Sequence, residues 1–202
     1  MDTQRIAMHW KLAGIKDVVD VGCGLGRHTV MLARMGFNAS AFDLSQLAVE
    51  KTNAWLNEQG LKAAVVTADM LQMPYPDSSF DAMLATHVIS HANSQTVKQA
   101  LAEMHRVLRK DGEDYLTFTS KQSDDFRNDS FPHYKGDPNT RILYKEGPEY
   151  GVTHFYVSGP ELGPLLDDMF EILKIDHLKT FHPLTDGSID VEWHYHVLLR
   201  RR

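Results

Sequence analysis

The stretch VVDVGCGLGRHTVMLARMG, residues 18–36, places three glycines within five positions between an apolar run and an amphipathic one. An apolar run that stops at glycine predicts a buried strand ending in a tight turn, and the residues after it predict a helix starting there. Glycine lets the backbone turn sharply and approach a ligand, while the first turn of the helix presents N–H groups that have no partner within the helix. Such a turn suits a polar, anionic group. The chain is therefore expected to be built of strand and helix units, with a ligand at the first junction.

The remaining pattern extends that reading. Further strands are expected at residues 38–43, 61–69, 80–87 and 113–119, with helices at 26–35, 46–59 and 93–108 between them. In the first helix Val30, Leu32, Ala33 and Met35 supply the apolar side; in the second, Leu47, Val49, Ala54 and Leu56 do so, with Ser45 as its cap and Gly60 as its stop. Regular alternation of strand and helix predicts parallel strands joined by crossovers, an α/β doubly wound sheet. Residues 120–160 break the rhythm: they are polar and punctuated by proline, yet carry Phe126, Phe131, Tyr134, Tyr144, Tyr150, Phe155 and Tyr156. This insertion reads either as a lid or binding loop, or as a surface excursion that buries its own rings. A helix at 161–169 and strands at 170–181 and 191–200 follow. The 202 residues, 43% of them hydrophobic, are enough for one well-buried core, and a single domain over 1–202 is expected.

The spacing of the glycines narrows the ligand. GCGLG is G-x-G-x-G, whereas a pyrophosphate-binding dinucleotide fingerprint is G-x-G-x-x-G, and its third glycine position is Arg27 here. Asp43, at the end of the second predicted strand about 20 residues after the first glycine, suits a ribose diol in either case. The loop together with Asp43 implies a nucleoside ligand, and a nicotinamide dinucleotide is the weaker form of it.

VVDVGCGLG, AFDLS, TADMLQMPYPDSSFDAMLATHVISH and EMHRVLRKDGE, taken in that order, resemble the motifs of the class I S-adenosylmethionine-dependent methyltransferases, in particular the type 11 and type 25 methyltransferase domains; the likeness covers residue 18 to about residue 118. The resemblance implies a Rossmann-like, seven-stranded, mostly parallel sheet with an antiparallel last strand. It implies S-adenosyl-L-methionine as cofactor and S-adenosyl-L-homocysteine as product. By the same resemblance Gly22, Cys23, Gly24 and Gly26 face the methionine part, Asp20 helps to hold its amino end, and Asp43 grips the ribose hydroxyls. Leu44 covers the adenine, Asp69 accepts from the adenine amine, Met70 lies beside the ring, and the Thr86 carbonyl meets the methionine amino group. Cys23 also reads as a small buried filler. Arg27 reads equally as a guide for the cofactor carboxylate or as a solvated charge. Seventeen residues precede Val18, so a short N-terminal cover is expected.

A sulfonium methyl is already electrophilic, so the protein has mainly to align a lone pair with it and exclude water. His87 and His91, leaving the fourth predicted strand, are the candidate proton acceptors, with His87 preferred. Tyr134, Tyr144 and His154 are candidate wall residues of an acceptor pocket covered by the insertion. The pair His194 and His196 shares one face of a strand but lacks an evident third ligand, so no metal is expected. The formal charge of −6 argues against nucleic acid as partner, and a chain with one cysteine cannot form an internal disulfide. Without a run of about 18 apolar residues no membrane span is expected, and a cytoplasmic monomer or homodimer acting on a small-molecule methyl acceptor is. The alternatives are an S-adenosylmethionine-binding module without chemistry and a nicotinamide-dependent oxidoreductase.

Overall fold

The structure is a computed structural model that describes residues 2–144, 150–183 and 187–202. Residues 145–149, part of the predicted insertion, lie outside the described residues. Its elements are α1 (Thr3–Leu12), β1 (Asp17–Val21), α2 (Arg27–Arg34), β2 (Asn38–Asp43), α3 (Gln46–Glu58), β3 (Ala64–Thr67), β4 (Phe80–Ala85), α4 (Ser94–Val107), β5 (Leu108–Ser120), α5 (Asp124–Arg127), β6 (Thr140–Ile142), β7 (Thr153–Val157), α6 (Gly159–Leu166), β8 (Phe170–Pro183) and β9 (Ile189–Arg201). Four strands run parallel in the order β3-β2-β1-β4 and continue into β5. Beyond β5 the sheet divides. β9 lies antiparallel along Glu113–Thr119 and carries β8, whereas β7 runs parallel to β5 only at Thr119 and Ser120 and carries β6.

The path β3-β2-β1-β4-β5-β9-β8 is the doubly wound, seven-stranded sheet with an antiparallel last strand that the sequence predicts. The strand count needs correction, since the insertion adds the β6–β7 hairpin and brings the sheet to nine strands among the described residues. That hairpin is too short to announce itself by alternation: β6 spans Thr140–Ile142, and one residue of signal per face is no pattern. The insertion is nonetheless anchored in the body. Phe155 donates its N–H to the Ser90 carbonyl at 2.8 Å, the Asp137 carboxylate accepts from the Ser94 N–H and hydroxyl, and Phe131, Phe155 and Tyr156 are buried.

Two further departures have local causes. Helix α1 falls among the residues before Val18, where the sequence pattern predicts no element, yet it has ordinary helix grammar: Asp2 caps it by accepting from the Arg5 N–H at 2.8 Å, and Ile6 and Trp10, one turn apart, are buried. Trp10 donates its indole N–H to Glu113 at 3.0 Å, fixing α1 against β5. In α3 the buried face is Ala48, Val49, Thr52 and Leu56, while Leu47 is 62% exposed. The apolar pattern misplaced the stripe because Thr52, a polar residue, belongs to the core side.

The two faces of the sheet carry separate cores. Met83, Leu116, Phe118 and Val197 meet Leu101 and Met104 of α4 on one face. Trp10, Leu32, Leu84 and Tyr115 pack on the other. Parallel strands buried on both faces read as near-continuous apolar runs, as Val18–Val21 does apart from the buried Asp20. Every parallel strand consequently ends at the same edge, which carries the glycine turn and the 86–91 connection.

Candidate active site

At that edge the chain leaving β1 turns through Gly22, Gly24 and Gly26, all with positive φ. Gly22 is there for a double reason. Its φ of 63° is strained for any L side chain, and a Cβ on it would lie 2.3 Å from the Val88 Cγ2. At Gly26, φ 89°, a Cβ would meet Thr52 at 2.8 Å. Thr52 in turn donates its hydroxyl to the Gly24 carbonyl at 3.0 Å, so a buried α3 residue that sequence reasoning passed over shapes the loop from beneath. Cys23 is buried against Thr52 with its thiol pushed up to about 11, chiefly by burial, which makes it a filler and a poor nucleophile.

Asp43 closes the loop from the neighbouring strand. Its two oxygens accept the Gly24 N–H at 2.8 Å and the Ser45 N–H at 2.9 Å. A carboxylate has about four acceptor positions, so this bracing leaves room on both oxygens for a diol. Asp43 shares a cavity of about 190 Å³ with Phe42, Leu44, Asp69, Met70 and Val88. Apolar walls with two carboxylates in the lining fit a purine nucleoside, flat and hydrophobic in its ring, polar at the ribose hydroxyls and the exocyclic amine. Asp69 is braced by accepting from the Leu71 N–H at 2.9 Å. Asp20 lies buried beneath the loop, accepting the Thr29 hydroxyl at 2.6 Å; burial pushes its carboxyl up to about 7.

On the other side of the loop a groove of about 690 Å³ runs between the first turn of α2, with Arg27 and His28, the β4 end, with Thr86 and His87, and His194 and His196 of β9. Asp2, Thr3 and Gln4 at the start of α1 are also among its lining residues. The Thr86 hydroxyl meets His28 Nδ1 at 3.1 Å, and burial lowers the His28 imidazole to about 4.

His87 occupies a special position. Its φ of 54° is the left-handed region, at a cost of roughly 1–2 kcal/mol for a residue with a side chain. The conformation is held by its N–H, which donates to the Thr117 hydroxyl at 2.7 Å. Its ring is open to the cavities, and desolvation by the surrounding walls, followed by the Arg27 and His91 charges, holds it below its ordinary value. A polar recess of about 100 Å³ adjoins it, bounded by His87, His91, Asp125, His154, Glu192 and His194 among others. His91 also borders the nucleoside-shaped cavity and packs on His154 with ring centroids 4.6 Å apart.

Of the residues expected in an acceptor wall, His154 lines this recess, joined by Leu143 and Tyr156 of the same insertion. Tyr134 sits instead in the 134–137 turn under Lys135, and Tyr144 packs on Tyr150 with 48% exposure; neither is among the recess-lining residues. His194 is the residue that sequence reasoning set aside. Its alternation with Tyr195 along a strand was legible, but not that β9 lies against β5 and carries His194 to within 4.7 Å of His87. At the recess rim Asp125, Asp190 and Glu192 offer oxygens within 4.8 Å of one another, a grouping invisible in sequence because 65 residues separate the first from the second. A hollow of about 450 Å³ at the opposite ends of the strands contains the Arg109–Asp17 and Arg109–Asp81 ion pairs and joins the turn after α4 to the sheet; it is remote from the glycine loop.

Residues 18–112 match a family described as a methyltransferase domain. A sterol 24-C-methyltransferase of Gibberella zeae is 29% identical over 171 residues, covering 82% of this chain and 42% of that protein. The chain thus spans under half the length of that relative. Among solved structures, an S-adenosylmethionine-dependent methyltransferase of Methanosarcina mazei superposes with a TM-score of 0.72 at 19% identity, covering 92% of each chain. The 1,6-didemethyltoxoflavin-N1-methyltransferase of Burkholderia thailandensis, solved with 1,6-didemethyltoxoflavin and S-adenosylhomocysteine, has a TM-score of 0.67 at 19% identity, covering 98% of this chain and 77% of that one. With the glycine loop, the Asp43 brace and the sheet order in place, residues 18–112 are similar to a methyltransferase domain, and the chain has the fold of the S-adenosylmethionine-dependent methyltransferases on which it superposes.

Proposed function

We propose that the protein transfers a methyl group from S-adenosyl-L-methionine to a nucleophilic atom of a small molecule, leaving S-adenosyl-L-homocysteine. The observation that carries this reading is the pair of cavities at the strand ends: one at Asp43, Leu44, Asp69 and Met70, and a second lined by His87 and His91, with His91 bordering both. The residues fit the cofactor. Asp43 would take the ribose hydroxyls, Leu44 and Met70 the faces of the adenine, and Asp69 its amine. Gly22, Cys23, Gly24 and Gly26 would line the methionine part, with Asp20 and the Thr86 carbonyl toward its amino end and Arg27 toward its carboxylate. When bound, the cofactor supplies an activated methyl group. The chain's own contribution is to position the acceptor, exclude water beneath the β6–β7 insertion, and receive a proton at His87 or His91 where the acceptor carries one.

Sterol and toxoflavin-precursor substrates in the names of relatives support a small-molecule acceptor. Among the described residues, no helix is long and apolar enough to cross a membrane. The finer reading is a cytoplasmic monomer or homodimer that engages neither nucleic acid nor membrane. The test is a methyl-transfer screen with isotopically labelled S-adenosylmethionine against a metabolite panel. Label appearing in an organic product supports the reading. Tight cofactor binding without transfer to any acceptor points to a binding module, and stabilisation by a nicotinamide dinucleotide alone points to an oxidoreductase.

A further inference from the structure

Helix α2 gives one stripe of side chains to the groove of about 690 Å³: Arg27, Val30, Met31 and Arg34 recur at helical spacing, and all four line it. At one end, beside the glycine loop, Arg27 and Thr86 border the groove; Arg34 lies seven residues after Arg27, about 10 Å further along the helix axis. The apolar part of the lining includes Met31 and Trp55, both half-buried, and Leu178 of β8, which leaves 41% of its surface open.

The hydroxyl groups of this lining are largely engaged within the protein. That of Thr86 meets His28, that of Tyr115 meets His196 Nδ1 at 2.7 Å, and Thr180 donates its hydroxyl to the Glu192 carbonyl at 3.3 Å. An apolar body laid over them therefore strands none of the three.

Charge is distributed differently. Burial lowers His28 and His196 to about 4 and His194 to about 3, so these rings are uncharged at neutral pH. The Asp2 carboxylate already has a cation beside it, Arg5 at 3.8 Å. Arg27 and Arg34 remain, and among the described residues neither has a carboxylate partner; Arg34 makes one hydrogen bond, from Nη2 to the Gln59 amide oxygen at 3.0 Å. In a chain of formal charge −6, the groove thus holds a local excess of positive charge. In the methyl-transfer reading Arg27 is taken up by the cofactor carboxylate, which leaves Arg34 without an anion.

Resting on that reading, we propose that this groove seats the methyl acceptor and that the acceptor is an elongated apolar molecule ending in a carboxylate. Arg34 is the specificity-determining residue: the N–H groups that Gln59 does not use take the carboxylate, one guanidinium for one negative charge. Met31, Trp55 and Leu178 hold the apolar body. The reacting end lies beside Thr86, so the spacing along α2 sets the distance from it to the carboxylate at about 10 Å. Because Arg34 is exposed, the ion pair contributes modestly to affinity and chiefly fixes which end of the acceptor meets the methyl group.

A plainer role for Arg34 exists, since a cation in the last turn of a helix suits the helix dipole. The test separates the two. The whole chain is titrated with S-adenosylhomocysteine by calorimetry and then, with it bound, with octanoate, 1-octanol and acetate, followed by NMR of isotopically labelled methionine methyl groups; Met31→Leu identifies the Met31 signal. Octanoate should move that signal with an affinity about fivefold higher than that of 1-octanol, and acetate should leave it in place. Arg34→Gln should remove the preference for octanoate while keeping 1-octanol affinity within about twofold, and Arg34→Lys should retain most of it. A cation needed only by the helix would lower the melting temperature of Arg34→Gln and leave the preference intact. Equal binding of octanoate and 1-octanol by the wild type, an undiminished preference in Arg34→Gln, or a response confined to Met70 in the nucleoside cavity overturns the proposal. Absence of heat from S-adenosylhomocysteine is instead a failure of the methyl-transfer reading, separate from all of these.

Discussion

The Asp43 carboxylate accepts the Gly24 N–H at 2.8 Å, a bond across 19 residues that ties the end of β2 to the glycine loop after β1. One side chain thereby sets the loop's shape and faces the nucleoside cavity. Asp43→Ala should weaken S-adenosylhomocysteine binding by about 1.5–3 kcal/mol, the scale of hydrogen bonds to a charged group, with an added loss from the loosened loop. Asp43→Asn, which can still accept the Gly24 N–H, should fall between wild type and Ala. Isothermal calorimetry reads both, and equal affinity for all three removes Asp43 from the site.

Gly22→Ala places a methyl group 2.3 Å from Val88 Cγ2 at a φ of 63°. The backbone component alone should cost roughly 1–2 kcal/mol. Adding Val88→Ala should return the part due to the clash and leave the part due to φ. Thermal melts of the single and double variants separate the two; identical stability of the single variant and wild type would show that the turn has another conformation.

Asp114 is fully buried on β5, and among the described residues neither of its carboxylate oxygens has a hydrogen-bond partner. Burial raises its carboxyl well above 3.8. Above pH 4 the unfolded chain then binds fewer protons than the folded one, so this residue makes stability fall as pH rises, until the folded-state value is passed. Asp114→Asn should therefore be increasingly stabilised relative to wild type above about pH 4, with a slope approaching about 1.4 kcal/mol per pH unit. Urea melts across pH 4–8 read the difference, and parallel curves for the two proteins would contradict it.

Trp10 is fully buried and donates to Glu113 at 3.0 Å. Trp10→Ala should cost about 3–5 kcal/mol through the cavity it leaves, and somewhat more through the lost hydrogen bond to Glu113, which keeps His9 and Arg200 as partners. Because the start of the same helix rims the groove, the variant's cofactor affinity should also drop at temperatures where it is still folded. Full stability would mean that α1 packs elsewhere.

The first half of the chain was legible because its signals are local and regular. β1 and β2 fall on Asp17–Val21 and Asn38–Asp43 as the apolar runs predict, and Asp43, Leu44, Asp69 and Met70, which the family resemblance assigns to one ligand, line one cavity. What escaped depends on partners far away in sequence. Thr52 enters the core because its hydroxyl has a carbonyl to meet at Gly24, which no hydropathy pattern encodes. His194 reaches the recess only through the antiparallel pairing of β9 with β5, and Tyr134 lies in the turn before β6, outside the recess lining.

Direct titration with S-adenosylhomocysteine and, separately, with a nicotinamide dinucleotide tests the central claim, that the glycine loop and Asp43 form a methyl-donor site. The account predicts saturable calorimetric binding of S-adenosylhomocysteine that Asp43→Ala weakens, and no binding of the dinucleotide. Binding of the dinucleotide with no heat from S-adenosylhomocysteine would contradict it.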